Sequence, residues 1–264
     1  TMAQTGGDGA VEVAKNFFRL PESHPGAMRI AQTLPGYEFK GVPAFFDVGG
    51  LTADPEAFQM AIDLLVSRYA SKKIDVVAGF DSRGFLLGPP VALALKIPFV
   101  MLRKPGKLPG PTVAVEYATE YSTDGLCCPC SAIRAGDRVM LIDDLLATGG
   151  TLKAGATLVQ SLGAVVAECA VVVAIEFLKG WEKFHSDPKL SDVPIFSMID
   201  AGSTPGMPEG STKSFVFDVN GEEVKKIQEA MKGAPSGSVL VKNGDGSWTA
   251  AKLCGGEAKN TSYA

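Results

Sequence analysis

Apolar and polar positions along the chain follow two alternating rhythms. Phe58, Ile62, Leu65 and Val66 recur at helical spacing through Tyr69. Asp54-Pro55-Glu56 stands in front of them. Asp is a capping acceptor, Pro fits a first helical turn, and Glu favours the positive end of the helix dipole. Ile74 to Phe80 is a short apolar run ending at a glycine-containing turn, which predicts a buried strand. A helix is expected from about Gly84, then strands at Ile97–Leu102 and Asp137–Ile142. Next come a helix over Thr151–Leu162, a long β-branched strand over Val165–Ile175, and a last core strand over Pro194–Ile199. Near-continuous apolar strands alternating with helices predict an α/β domain on a parallel sheet.

The flanks read differently. Residues 1–53 are rich in Pro and Gly, show no clean period, and are expected to be irregular. After Asp200 the composition shifts, with ten of the 30 glycines in the last 64 residues. There the pattern predicts a short helix over Gly221–Lys232 and a hairpin over Ser238–Leu253, turning at Asn243-Gly244-Asp245-Gly246. The expected organisation is an N-terminal region (1–53), a core (54–200) and a C-terminal extension (201–264) of unassigned role. At 264 residues, one large domain or a domain with an appendage is the natural size.

Composition narrows the picture. With 46% hydrophobic and 20% charged residues, a disordered or fibrous chain is excluded. The net charge of −4, from 25 Lys+Arg against 29 Asp+Glu, provides no global field for nucleic acid or an anionic membrane. Any phosphate binding must come from a local cluster. Five cysteines, three of them at 127, 128 and 130, do not resemble a secreted disulfide framework. As zinc ligands they would have only His24 and His185 to join them, so free thiols are the expectation. Residues 1–15 hold no apolar leader, and charges or prolines interrupt every apolar stretch, so a cytoplasmic protein without membrane or nucleic-acid partners is expected.

The chemistry concentrates in Val139-Met140-Leu141-Ile142-Asp143-Asp144-Leu145-Leu146-Ala147-Thr148-Gly149-Gly150-Thr151. The small residues Ala147, Thr148, Gly149, Gly150 and Thr151 can wrap backbone N–H groups around a phosphate, helped by the threonine hydroxyls and a following helix N-terminus. Asp143 and Asp144, placed by the pattern at the strand end, can accept hydrogen bonds from a vicinal diol such as a ribose. An anion cradle beside two diol acceptors describes a 5-phosphoribosyl group. A Walker loop and a dinucleotide fingerprint are both absent. The plainer alternative is an ordinary strand-to-helix connection with a capping threonine.

This run resembles the phosphoribosyl-pyrophosphate signature of type I phosphoribosyltransferases, and its neighbours are similar to adenine phosphoribosyltransferases in particular. Gly79-Phe80-Asp81-Ser82-Arg83-Gly84-Phe85 resembles that family's pyrophosphate loop. Arg103-Lys104-Pro105-Gly106-Lys107-Leu108-Pro109-Gly110-Pro111-Thr112 resembles the basic start of its flexible flap, and Leu178-Lys179-Gly180 also fits. The likeness covers roughly residues 35–200. It implies a parallel-sheet type I phosphoribosyltransferase fold with an N-terminal hood and a flap. The reaction implied is adenine plus phosphoribosyl pyrophosphate (PRPP) to AMP and pyrophosphate, with Mg²⁺ and a homodimer.

Residue roles follow from the resemblance. Ser82, Arg83, Arg103 and Lys107 fall to the pyrophosphate, with the Asp81–Ser82 peptide in the cis form. Glu120 becomes the acid/base on the purine, and Tyr121 closes over the reaction centre. On the residues alone, Glu116 or Glu120 could equally lie on the polar face of a hairpin. Ala44, Phe46 and Ile175 match the adenine pocket, although the family often carries arginine where this chain has Phe46. For Phe45 and Phe46 core packing is the preferred reading of the residues themselves. No protein ligand to the metal is identified. Two other functions stay open: a non-catalytic PRPP- or AMP-binding regulator of the same fold, and a transferase for another 6-substituted purine.

Overall fold

The structure is a computed structural model that describes residues 9–39, 42–118, 123–204, 221–235 and 238–252. In chain order its elements begin β1 (Val11–Ala14), β2 (Phe17–Arg19), α1 (Pro25–Ala31), β3 (Gly36–Phe39), β4 (Val42–Phe46), α2 (Gly49–Thr52) and α3 (Pro55–Tyr69). There follow β5 (Val76–Phe80), α4 (Gly84–Leu95), β6 (Phe99–Leu102), β7 (Thr112–Ala118), β8 (Thr123–Pro129), β9 (Arg138–Leu146), α5 (Gly150–Ser161) and β10 (Val165–Ala174). The chain continues with α6 (Gly180–His185), β11 (Ile195–Asp200), α7 (Glu222–Met231), β12 (Val239–Lys242) and β13 (Trp248–Ala251).

The chain divides into two units, Thr1–His24 with Ala61–Ala201, and Pro25–Met60 with Gly202–Ala264. The first holds a seven-stranded sheet ordered β1-β2-β11-β10-β9-β5-β6. All its pairings are parallel except β1 with β2. The central strands are buried along nearly their whole length, as expected for a parallel sheet covered on both faces. Helices reach the sheet through glycines. A β-carbon on Gly88 would meet the Phe99 ring at 2.2 Å, and one on Gly155 would meet the Phe80 ring at 2.4 Å.

Glu168 breaks the apolar run of β10 yet is buried, and the structure gives it partners. Arg68 Nε donates to its Oε1 at 2.7 Å, Lys72 Nζ donates to its Oε2, and the Arg68 guanidinium lies over the Phe196 ring at 4.1 Å. A charge this deep in a sheet persists only when both carboxylate oxygens are satisfied.

Two expectations are corrected. The N-terminal segment read as irregular contains β1 and β2, which extend the main sheet; strands of four and three residues are too short to show a period. β9 runs to Leu146 and not to Ile142, because Val171, Val173 and Ala174 of β10 pair with Asp143, Leu145 and Leu146. The acidic pair therefore lies within the strand, held by a ladder that its own polarity would not suggest.

In the second unit, Asp54 caps α3 by accepting from the Ala57 N–H at 3.1 Å, and it also pairs with Arg29. The α7 helix and the β12–β13 hairpin occupy the predicted positions, joined by a hydrogen bond from Trp248 Nε1 to Glu223 Oε2 at 2.7 Å.

Candidate active site

β5 and β9 are parallel neighbours, but the chain leaves them in opposite directions, from β5 outward to β6 and from β9 the other way to β10. Such a reversal opens a crevice at the carboxyl ends of the two strands, where ligands of open α/β sheets bind. The sequence-predicted phosphate residues and, of the pyrophosphate residues, Ser82 and Arg83 stand on the loops leaving these two strands, while Arg103 and Lys107 follow β6.

The loop after β9 is a backbone cradle. Gly149, at φ +80°, precedes α5 and caps it without a side-chain hydrogen bond. The first N–H groups of this twelve-residue helix carry no side-chain cap, an arrangement that can receive an anion, and the cap is Gly149 and not a threonine. The cradle's shape is set from outside. A β-carbon on Gly149 would stand 2.2 Å from the Gly180 carbonyl oxygen, and one on Gly180 would stand 2.2 Å from the Ala147 carbonyl oxygen. Two glycines 31 residues apart pack backbone on backbone. Gly180 is a residue whose role sequence reasoning missed; its only signal was its place in Leu178-Lys179-Gly180.

The acidic pair splits into two environments. Asp144 is buried, and its Oδ2 accepts from Arg83 Nε, while its N–H donates to Asp143 Oδ1 at 2.9 Å. Burial, and then the neighbouring Asp144 charge, pushes the Asp143 carboxyl well above the ordinary carboxylate range.

The loop after β5 carries side-chain cations. The Asp81–Ser82 peptide is cis, Ser82 is exposed, and Arg83 opens α4. Gly84 lets this loop press against β9, since a β-carbon there would lie 2.5 Å from the Ile142 carbonyl oxygen. Beyond β6, Arg103 donates from Nε to Asp81 Oδ2 at 2.7 Å and from Nη1 to the Lys107 carbonyl at 3.1 Å. Lys104 to Lys107 closes a turn, with Pro105 and a left-handed Gly106 at its centre, and leaves Lys107 exposed.

Ile175 is buried at the end of β10, its N–H on the Leu146 carbonyl at 2.8 Å. Glu176, next to it, pairs with Arg19 at 2.7 Å and is raised in pKa by burial and by Asp200. The antiparallel β7–β8 hairpin pairs Thr112 with Pro129 through to Ala118 with Thr123, and its base enters the core through Leu126 and Cys128. Glu120 and Tyr121 fall between those last paired residues and lie outside the described residues. Cys127, Cys128 and Cys169 are buried free thiols and Cys130 is exposed; burial pushes Cys128 up to about 11. Among the described residues no cluster of three or more His, Cys, Asp or Glu could hold a metal ion, and no helix is long and apolar enough to cross a membrane. Ala44 and Phe46 lie on β4 in the second unit, where Phe46 is buried.

The family model described as a phosphoribosyl transferase domain matches residues 47–198, more than half of the chain. Adenine phosphoribosyltransferase 1 of Triticum aestivum is 45% identical over 170 residues, covering 64% of this chain and 90% of its own length. The Histophilus somni (strain 2336) adenine phosphoribosyltransferase is 49% identical over 149 residues, 56% of this chain and 83% of that one. Among solved structures, the Trypanosoma brucei adenine phosphoribosyl transferase in complex with AMP, pyrophosphate and ribose-5-phosphate superposes with a TM-score of 0.75 at 34% identity. It covers 83% of this chain and 98% of its own. The chain belongs to the type I phosphoribosyltransferases and, within them, to the adenine phosphoribosyltransferase family.

Proposed function

We propose that this chain transfers the 5-phosphoribosyl group of PRPP to adenine, yielding AMP and pyrophosphate in purine salvage. The observation that carries this reading is the pairing, at one strand-order reversal, of an amide cradle after β9 with Arg83 on the neighbouring loop, joined through Asp144 of the acidic pair. Ala147, Thr148, Gly149, Gly150 and Thr151 hold the 5′-phosphate, and Asp143 and Asp144 take the ribose hydroxyls. Ser82, Arg83, Arg103 and Lys107 hold the pyrophosphate. The anomeric carbon becomes cationic as pyrophosphate departs, so the leaving charge must be met by fixed cations in a site closed to water. Arg83 exchanges Asp144 for the diphosphate as substrate enters, which frees Asp144 for the sugar. Ile175 walls the adenine. Glu120 exchanges a proton with the purine ring, and Tyr121 covers the reacting carbon.

Mg²⁺ is proposed to arrive with the substrate. The ion takes hard oxygens and commonly uses one or two carboxylates, completed by substrate phosphate and water. Asp143 and Asp144 are donors of that kind, and the described residues offer no all-protein cage. When bound, the ion offsets charge on the pyrophosphate. A homodimer is proposed as well, supported by Leu86, Leu93 and Met101, large apolar side chains that stay exposed on α4 and β6.

Incubation with PRPP, Mg²⁺ and each purine in turn tests the reading. AMP from adenine alone is expected; turnover of another purine redefines the substrate, and binding without turnover assigns the chain to a regulator. Glu120→Gln should lower kcat by about 10²-fold with PRPP binding unchanged, and an unaltered kcat would remove Glu120 from the chemistry.

A further inference from the structure

We propose that Asp81 is a positioning residue for the pyrophosphate half of the substrate, holding the Arg103 guanidinium in the orientation that meets a diphosphate. This rests on the assignment of Arg103 to pyrophosphate made above.

The backbone around Arg103 is pinned on both sides. Its N–H donates to the Cys127 carbonyl at 2.9 Å and its carbonyl accepts from the Cys127 N–H at 2.7 Å. The preceding residue, Leu102, accepts from the Asp81 N–H at 3.0 Å. What remains adjustable is the direction of a long side chain. A planar guanidinium carries considerable rotamer freedom, and losing it on binding weakens the complex unless the fork is already aimed. Three contacts remove that freedom here. Nε donates to Asp81 Oδ2 at 2.7 Å, Nη1 donates to the Lys107 carbonyl at 3.1 Å, and the group lies over the Phe85 ring at 6.0 Å. The Nη2 edge is the part that these contacts leave for an anion.

Asp81 is the only charged group among the three contacts, and by charge alone it is misplaced. A carboxylate beside a diphosphate site repels the ligand. Nor does stability explain it, because the pair is 30% and 26% exposed and such solvent-screened ion pairs contribute little. Orientation of Arg103 accounts for a negative side chain at this place. Asp81 also directly precedes Ser82 and Arg83, so one short loop both supplies pyrophosphate ligands and aims a third from the neighbouring strand.

The test uses full-length protein with two separate probes, inorganic pyrophosphate and ribose 5-phosphate, titrated calorimetrically. Asp81→Ala should weaken pyrophosphate binding about tenfold and leave ribose 5-phosphate unchanged. The KM for PRPP should rise, with the KM for adenine constant. Asp81→Asn, which keeps an oxygen in reach of Nε, should recover most of the loss. In an Arg103→Ala background, Asp81→Ala should have no further effect. Tighter pyrophosphate binding in both Asp81 variants would reduce Asp81 to a repulsive charge and overturn the proposal. Equal weakening of both probes, or additive losses in the double variant, would overturn it in favour of general structural support. If Arg103→Ala itself leaves pyrophosphate binding intact, the assignment of Arg103 fails and this proposal with it; loss in Arg103→Ala but none in Asp81→Ala defeats this proposal alone.

Discussion

The loops after β5 and β9 open from neighbouring parallel strands, yet the anion roles proposed for them rest on different physical means. The β9 loop relies on backbone. Its residues are small, Gly149 sits at φ +80°, and its form is held by carbonyl-to-glycine contact with the turn at Gly180. The β5 side relies on guanidinium groups, each already matched to an acid, Arg83 to Asp144 and Arg103 to Asp81. An amide cradle has no net charge to be quenched, so shape alone keeps it ready. Two bare guanidiniums would attract any passing anion; Arg83 is held by Asp144, which the proper ligand must displace, whereas Arg103 is aimed by Asp81, which stays in place. The first region should therefore fail when its shape is altered, and the second when its charge is altered.

The largest expected effect comes from shape. In Gly149→Ala the left-handed backbone costs about 1–2 kcal/mol and overlap with Gly180 about 1–3 kcal/mol more. Ribose 5-phosphate binding should then weaken by at least about 30-fold, with pyrophosphate binding retained. Calorimetry with both probes, alongside a thermal melt, checks this; equal retention of both would show that the cradle tolerates a side chain.

Arg83→Gln should do the reverse. A hydrogen bond to a charged group contributes about 1.5–3 kcal/mol, so pyrophosphate affinity should drop roughly 10- to 100-fold with ribose 5-phosphate binding nearly intact. The remaining affinity should fall less steeply with added salt than in the parent. Loss of both ligands together would mean that the two loops do not act separately.

The smallest effect sharpens the division between the aspartates. The Asp143 carboxyl is raised well above its ordinary value by burial and by Asp144. Between the unfolded value near ~4 and that raised value, the folded chain binds more protons than the unfolded one. The contribution of Asp143 is therefore greatest at low pH and is lost as pH rises through the raised value. Asp143→Asn should flatten that decline and leave the melting temperature at pH 7 unchanged or slightly higher. Asp144→Asn, which removes the acid facing Arg83, should lower it. Melting curves from pH 4 to 8 decide, and a parallel slope in parent and Asp143→Asn would refute the division.

Much of the architecture was legible along the chain because its causes are local. Asp54 was recognisable as a cap and does accept from Ala57. The Asn243–Gly246 turn was recognisable from its residue types, and the flanking strands pair as Val239 with Ala251 through Lys242 with Trp248. The same holds for the phosphate run, where small residues after an apolar strand permit a tight, left-handed turn. Less legible was anything set by a partner far away. The extension of β9 through its acidic pair depends on β10, and the buried Glu168 is explained by Arg68 and Lys72, 100 and 96 residues earlier.

The order of helices and strands, the cradle's position and its candidate ligands followed from the sequence itself. Periodicity, capping and turn preference act over a few residues and can be read off neighbouring letters. Only the tertiary structure decided which aspartate faces Arg83, that Gly180 shapes the phosphate loop, and that Asp81 holds Arg103. Those contacts join residues 61, 31 and 22 positions apart, and such pairings exist only once the parallel strands have brought their carboxyl ends to one edge.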